Sequence, residues 1–290
     1  MGWRYPRRIH SATLRFALLG FLALSVCATA AQDYSDPLTV THVHGNIYML
    51  QGPGGNIALS LGDDGTLLID SKFADLANQI RTVIDSLQGG EIRYILNTHF
   101  HRDHVGGNQA LGQGAPIIAH HNVRQRLLAR PRIDQRYVAP IPRPGWPTLT
   151  FDQTVSIHFN GEEIRAVHFD HGHTDGDIAV FFTESNVVHL GDLFFNRLLP
   201  FVDIDYGGDV ENLARHIGQL VDTLPPNSKI IPGHGPLATL DDLQIYRRML
   251  QQTLSTVRAS IDAGKKLDQI QAEGLPKQWA QWAWPYVPTR

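Results

Sequence analysis

The stretch Asn97-Thr98-His99-Phe100-His101-Arg102-Asp103-His104 constrains this chain more than any other. Three histidines and an aspartate fall within six consecutive residues, and Gly106-Gly107 follows directly. Packing alone does not call for that density of imidazole. Neutral imidazole together with carboxylate is the ligand set that suits zinc, and to a lesser extent iron or manganese. On a helix His99 and His101 would point to nearly opposite sides, and on a strand they would share only one face. The spacing therefore predicts a loop that wraps around metal and converges all four side chains. The two glycines let the backbone bend closely past the site. The bland alternative is a polar surface loop that is rich in histidine by chance.

His99-x-His101-x-Asp103-His104 resembles the signature of the metallo-β-lactamase superfamily of hydrolases. Later segments resemble that family's further motifs, in the family's order. Gly172-His173-Thr174 is similar to its second metal segment, Gly191-Asp192 to its third and Gly233-His234-Gly235 to its fourth. Upstream, Leu67-Leu68-Ile69-Asp70 resembles the strand whose aspartate supports a metal-bound histidine. The resemblance runs from about Val40 to about Ile261. It implies an α+β fold, the four-layer αβ/βα sandwich, with the metals at one edge between the sheets. Periodicity by itself supports only mixed α and β.

Carried over motif by motif, the resemblance implies two zinc ions, with other divalent metals also fitting. His99, His101 and His173 would hold one; Asp103, His104 and His234 would hold the other, and Asp192 would bridge them. Asp70 would receive an imidazole N–H from the layer behind. His168 and His171 lie close enough in sequence to compete with His173. Three protein ligands per zinc leave a position open, the catalytic pattern. A metal-bound hydroxide would attack, a zinc would steady the oxyanion, and Asp103 would orient or shuttle the proton. Tyr206 follows the third segment, where the family places a substrate-facing loop, which implies a substrate contact.

These features point to hydrolysis of a lactone, ester, thioester or amide of a small molecule. The family's clinical β-lactamases usually carry cysteine or serine where this chain has Asp192, whereas its lactonases, thioesterases and phosphodiesterases carry aspartate. β-Lactam hydrolysis is therefore the runner-up, as main or side activity. A mononuclear iron oxygenase would leave Asp103, His104 and His234 idle, and a non-catalytic metal-binding domain would need a lost ligand, which is not seen.

The first thirty residues set the compartment. Arg4, Arg7, Arg8 and Arg15 precede and flank a short apolar run, Phe16 to Val26, and Ala28-Thr29-Ala30 offers small residues for cleavage. The run is short for a membrane span, so the expected organisation is a signal peptide over 1–31, of the Sec type, and a single hydrolase domain over 32–290 in the periplasm. An uncleaved anchor is the alternative. Cleavage removes the only cysteine, Cys27, so the mature chain has no thiolate for catalysis or disulfides. It also removes four arginines and no acid, leaving about 21 basic against 28 acidic residues. That balance gives no support to a nucleic-acid partner, which wants a basic face, and none is expected. A small-molecule substrate is expected, without stable membrane insertion after cleavage; oligomeric state is not legible.

Short alternating segments from Leu38 to Asp70, separated by glycines and the Asp63-Asp64-Gly65 turn, predict an antiparallel meander. Helices are predicted over Ala74–Leu87, from His104 or Val105 to Leu111, and over His121–Ala129, Val210–Leu224 and Leu240–Ala263. Buried or alternating strands are expected at Ile92–Leu96, Pro116–Ala119, Val155–Asn160, Glu163–Asp170, Ile178–Thr183, Val187–Leu190 and Lys229–Ile231. Pro131 to Pro147 carries five prolines and reads as a loop, either substrate-selecting or a plain connector. The C-terminal part, from about residue 240, adds a helix and a tail whose Trp279, Trp282 and Trp284 are expected to dock on the body.

Overall fold

In the computed structural model the described residues are 36–129 and 140–288, with the backbone of 132–133 and 136–137. The expected leader and part of the proline-rich loop lie outside them. Strands β1 (Thr39–His44), β2 (Ile47–Gln51), β3 (Ile57–Gly62) and β4 (Gly65–Ile69) pair antiparallel in succession, the meander expected from the alternation. Helix α1 (Ala77–Ser86) then crosses over, so that β5 (Ile92–Asn97) lies parallel to β4. Helices α2 (Arg102–Val105), α3 (Asn108–Leu111) and α4 (His121–Leu128) surround β6 (Ile117–His120). A two-residue ribbon, β7 (Arg132–Ile133) with β8 (Arg136–Tyr137), precedes β9 (Leu149–Phe151), which closes a seven-stranded sheet beside β6.

The second sheet has six strands in chain order: β10 (Thr154–Phe159), β11 (Glu162–His168), β12 (Ile178–Phe182), β13 (Val187–Phe195), β14 (Lys229–His234) and β15 (Ala238–Thr239). Helix α5 (Val210–Thr223) connects the parallel pair β13 and β14; α6 (Leu240–Asp262) and α7 (Leu267–Glu273) follow.

Three apolar layers show why the chain stacks this way. Leu67, Ile69 and Leu96 of the first sheet meet Ile164, Val180 and Ile231 of the second in one buried cluster between the sheets. The outer face of the first sheet packs Leu59, Leu68 and Ile95 on Ile80 and Ile84 of α1. The outer face of the second packs Leu190 and Phe194 on Leu213 and Ile217 of α5 and Leu243 and Tyr246 of α6. Helix, sheet, sheet, helix is the four-layer α+β sandwich.

Several expectations needed correction. The metal loop is not all loop: His101 is the extended N-cap of α2, and Asp103 and His104 stand in its one helical turn. The helix expected from His104 to Leu111 starts earlier and breaks into two at Gly106-Gly107, where a side chain at Gly107 would strike the Ser71 carbonyl. Strand β13 runs to Phe195, not Leu190, because Gly191 to Phe195 stays fully buried beneath α5 and α6. Strand β9 and helix α7 carry too little periodic signal to be read from sequence, and neither was expected.

Candidate metal centre

Parallel pairing gathers the site. Strands β4 and β5 run parallel, β4 delivering Asp70 just past its end and β5 ending at Asn97, while β13 and β14 run parallel and end at the Asp192–Phe195 segment and His234. Ligand-bearing ends from both sheets thus meet at one edge of the sandwich. The Thr98 carbonyl accepts from the Ile178 N–H at 3.0 Å, and the Gly233 carbonyl accepts from the Asn56 N–H at 2.7 Å, stitching the two sheets beside the site.

Two groups of side chains converge there. His99, His101, His173 and Asp192 form one; Asp103, His104 and His234 form the other, with ligand atoms in each group within 4.8 Å of one another. Asp192 reaches across both. Its Oδ2 lies 3.8 Å from His99 Nε2, 3.5 Å from His173 Nε2 and 3.4 Å from His234 Nε2, and its Oδ1 lies 3.1 Å from His104 Nε2. Asp103 Oδ2 stands 3.3 Å from His234 Nε2. All seven residues expected as ligands are therefore in one place. The two competitors of His173 are elsewhere: His168 stacks on His120 at 3.7 Å, and His171 bonds the Gly207 carbonyl.

A layer behind the cluster fixes which ring nitrogen faces inward. His104 Nδ1 bonds Asp70 Oδ2 at 2.7 Å, so Nε2 faces the cluster. Asp70 is itself held by the Thr98 N–H and hydroxyl, both donating at 2.7 Å. His173 Nδ1 bonds the Phe201 carbonyl at 2.7 Å. His101 presents Nδ1 instead, because its Nε2 bonds Asp203 Oδ2 at 2.8 Å. This arrangement, a carboxylate or carbonyl on the far nitrogen, orients a metal-ligating imidazole and raises its basicity.

Asp203 was not found from the sequence. It sits three residues before Tyr206 in a loop with no ligand spacing, so no motif marks it. Lys72 was missed too: fully buried, it donates through Nζ to the Gly55 carbonyl at 2.5 Å, tying the β2–β3 turn to the site. Burial pushes its ammonium down to about 7, against the pull of Asp103 and Asp70. Tyr206 packs its ring 5.0 Å from Phe100 and under the Arg126 guanidinium, one layer removed from the ligands.

The donor set fits divalent metal. Of the five buried side-chain polar atoms that lack a hydrogen-bond partner among the described residues, three are His99 Nε2, His104 Nε2 and Asp192 Oδ1. Buried polar atoms without a hydrogen bond are costly; His104 Nε2 and Asp192 Oδ1 face each other as an ion pair at 3.1 Å but make no hydrogen bond, and the three atoms together call for a ligand. A Cβ at Gly55 would overlap the His104 ring, and one at Gly233 would overlap Asp192 Oδ1, so bare backbone keeps the ligands in place.

Electrostatics agrees. Burial, helped by His104, holds His99 well below its ordinary value, and burial holds His173 down to about 4 against the pull of Asp192. Both are neutral and ready as ligands. Burial also disfavours charge on the second group, yet carboxylates win: Asp192 and Asp103 lift His234 to about 9, and Asp192, Asp103 and Asp70 lift His104 well above its usual value. In turn His104 and His234 hold Asp103, and His234, His104 and His99 hold Asp192, below the usual carboxylate range despite burial. The two carboxylates and the two protonated imidazoles balance, so a cation that enters must displace the imidazole protons.

Comparison with known proteins agrees with this geometry. The sequence matches the metallo-beta-lactamase superfamily over residues 40–234. A hydroxyacylglutathione hydrolase from Pelagibacter ubique is 29% identical over 183 residues, covering 60% of this chain and 67% of that protein. Another from Nitrosococcus oceani is 31% identical over 150 residues, covering 50% and 49%. Among solved structures, a metallo-beta-lactamase from Pontibacter korlensis superposes with a TM-score of 0.63 at 19% identity, over 74% of this chain and 99% of that one. The sec-alkyl sulfatase PisA1 gives 0.63 at 16% identity, over 85% and 48%. At such identities the structures establish the fold. The chain belongs to the metallo-beta-lactamase superfamily and is one of its metal-dependent hydrolases.

Proposed function

We propose that the protein is a binuclear zinc hydrolase of small carbonyl compounds, with thioesters as the favoured class. The observation that carries the reading is the convergence of three buried ligand atoms without a hydrogen bond, on His99, His104 and Asp192, inside one cluster of seven ligand side chains. The thioester class is supported by the curated relatives named hydroxyacylglutathione hydrolase, of which the chain spans about half to two thirds.

His99 Nε2, His101 Nδ1 and His173 Nε2 would hold one ion. Asp103, His104 Nε2 and His234 Nε2 would hold the other, and Asp192, with one oxygen toward His104 and the other toward His99, His173 and His234, would bridge. Bound there, two zinc ions would lower the pKa of water to about 7 and polarise a carbonyl oxygen. The chain's own residues supply the rest. Asp70 and Asp203 lock His104 and His101 in single tautomers, so the site does not reorganise during the reaction. His99, His104 and His173 are closed to solvent, whereas the Asp103 side chain is 24% exposed and that of His234 15%. Substrate therefore approaches from the Asp103–His234 side. Asp103, ionised and at that opening, accepts a hydrogen bond from the attacking water and orients it toward the carbonyl carbon.

The leader's composition favours action outside the cytoplasm. Among the described residues no helix is long and apolar enough to cross a membrane. The test is hydrolysis of a panel of thioesters, lactones and a chromogenic cephalosporin, before and after chelation. Thioester turnover that chelator abolishes and zinc restores supports the reading. Turnover of the cephalosporin alone would transfer it to β-lactams, and chelator-insensitive turnover would remove it.

A further inference from the structure

Beyond His234, the last residue of the family match, the chain runs through α6 and α7 into a tail that returns to the metal centre. Trp282 is buried in the cluster beneath β13 and α6, and its carbonyl accepts from the Leu199 N–H at 2.9 Å. Two residues on, Trp284 Nε1 donates to the Leu199 carbonyl at 2.8 Å, and Trp284 and Val287 exchange backbone hydrogen bonds. Anchored in this way, the Trp284 indole lies 5.5 Å from the His234 ring and 5.8 Å from Phe195. Phe195 stacks nearly parallel to His234 at 5.2 Å, so that Phe195, His234 and Trp284 all touch one another. Tyr286 packs on Trp284 at 4.9 Å and is 75% exposed.

Four rings, Phe195, His234, Trp284 and Tyr286, thus run in contact from the metal centre to solvent. They reach the cluster at His234, one of the two ligands whose side chains are part-exposed. Holding the His234 ring needs only Phe195 and Trp284; an exposed tyrosine outside them adds nothing to its placement. Aromatic surface left facing water beside a reachable metal ligand is what an apolar substrate group covers.

We propose that Trp284 and Tyr286 form the wall that receives a hydrophobic acyl group, so that the enzyme prefers thioesters of medium-chain or aryl acids to acetyl thioesters. The assignment rests on the hydrolase reading above and adds the substrate class. The acyl part is the fitting occupant because it hangs directly from the reacting carbonyl.

The experiment compares kcat/KM for acetyl and octanoyl thioesters of one thiol, using the full metal-loaded chain and its Trp284→Ala, Trp284→Phe and Tyr286→Ala variants. The octanoyl-to-acetyl ratio is expected to fall roughly tenfold in each alanine variant and to recover largely in Trp284→Phe, the scale of a few lost methylene contacts. A ratio unchanged in both alanine variants would reduce the tail to positioning His234 and overturn the wall. Tyr286, being exposed, keeps the test open if Trp284→Ala folds poorly. Binding of octanoate against acetate, read by calorimetry, needs no turnover. Tighter octanoate binding that Tyr286→Ala weakens supports the wall even if neither thioester is hydrolysed, an outcome that removes only the hydrolase reading. Equal binding of both acids overturns the wall.

Discussion

At the scale of single residues, the site works through paired roles: the inward-facing imidazole nitrogens of His99, His101, His104 and His173 are each matched by a partner on the ring's far side. Asp203 is the least expected of these partners. Asp203→Ala should free the His101 ring and weaken metal affinity roughly 10–100-fold, read by competition with a chromophoric chelator, with little loss of fold. Unchanged affinity would deny Asp203 its orienting role. Asp103→Asn keeps the shape and removes the charge at the open side. It should lower kcat on the order of a hundredfold while the melting temperature moves by only a few degrees. A full-rate variant would sink the water-orienting role. The protons on His104 and His234 give the pH dependence. His234 is lifted to about 9, so in the metal-free protein its charge stabilises the fold fully below its ordinary pKa, near 6.5, and that stability fades as pH rises through about 9. Metal must displace these protons. Metal uptake near neutral pH should therefore release protons into an unbuffered solution, and affinity should rise across the same window by about tenfold per pH unit for each proton displaced. Affinity independent of pH would contradict the assignment.

At the scale of elements, what was legible followed signal strength. Helices α5 and α6 were readable to within a residue, and α1 except for a 3-10 turn over its first three expected positions, because apolar positions such as Leu213, Ile217 and Leu220 repeat at helical spacing and end up buried. The ligand residues were legible because His-x-His-x-Asp-His and the Gly-His and Gly-Asp turns are short motifs with few other uses. Asp203 and Lys72 were not, since each acts through a contact that the fold brings together from distant parts of the chain, 102 residues apart for Asp203 and His101. The short helix α2 was missed as a helix because a four-residue turn set by its His101 cap leaves no periodicity to count. Helix α5 is what presses β13 and its Asp192 toward the first sheet. Leu213→Ala at its fully buried face should cost about 3 kcal/mol in stability by denaturant titration, the middle of the range for such a truncation. A cost below about 1 kcal/mol would show that α5 is not tightly packed there.

At the scale of the whole molecule, two stacked sheets bring the ends of four strands to one edge, and the tail after α7 closes a corner of that edge. The first part of this design was implied by the order of the motifs; the return of the tail was expected only as docking of its tryptophans, because nothing in residues 264–288 specifies which surface they meet. Trp282 meets the core and Trp284 meets His234. In the proposed reading this architecture holds two metal ions for hydrolysis. Elemental analysis of the purified protein, with thioester turnover followed as metal is removed and returned, tests it most directly. Two zinc equivalents per chain, lost together with turnover and restored together, is the predicted result. Iron, or a single equivalent in a protein that hydrolyses nothing, would contradict it.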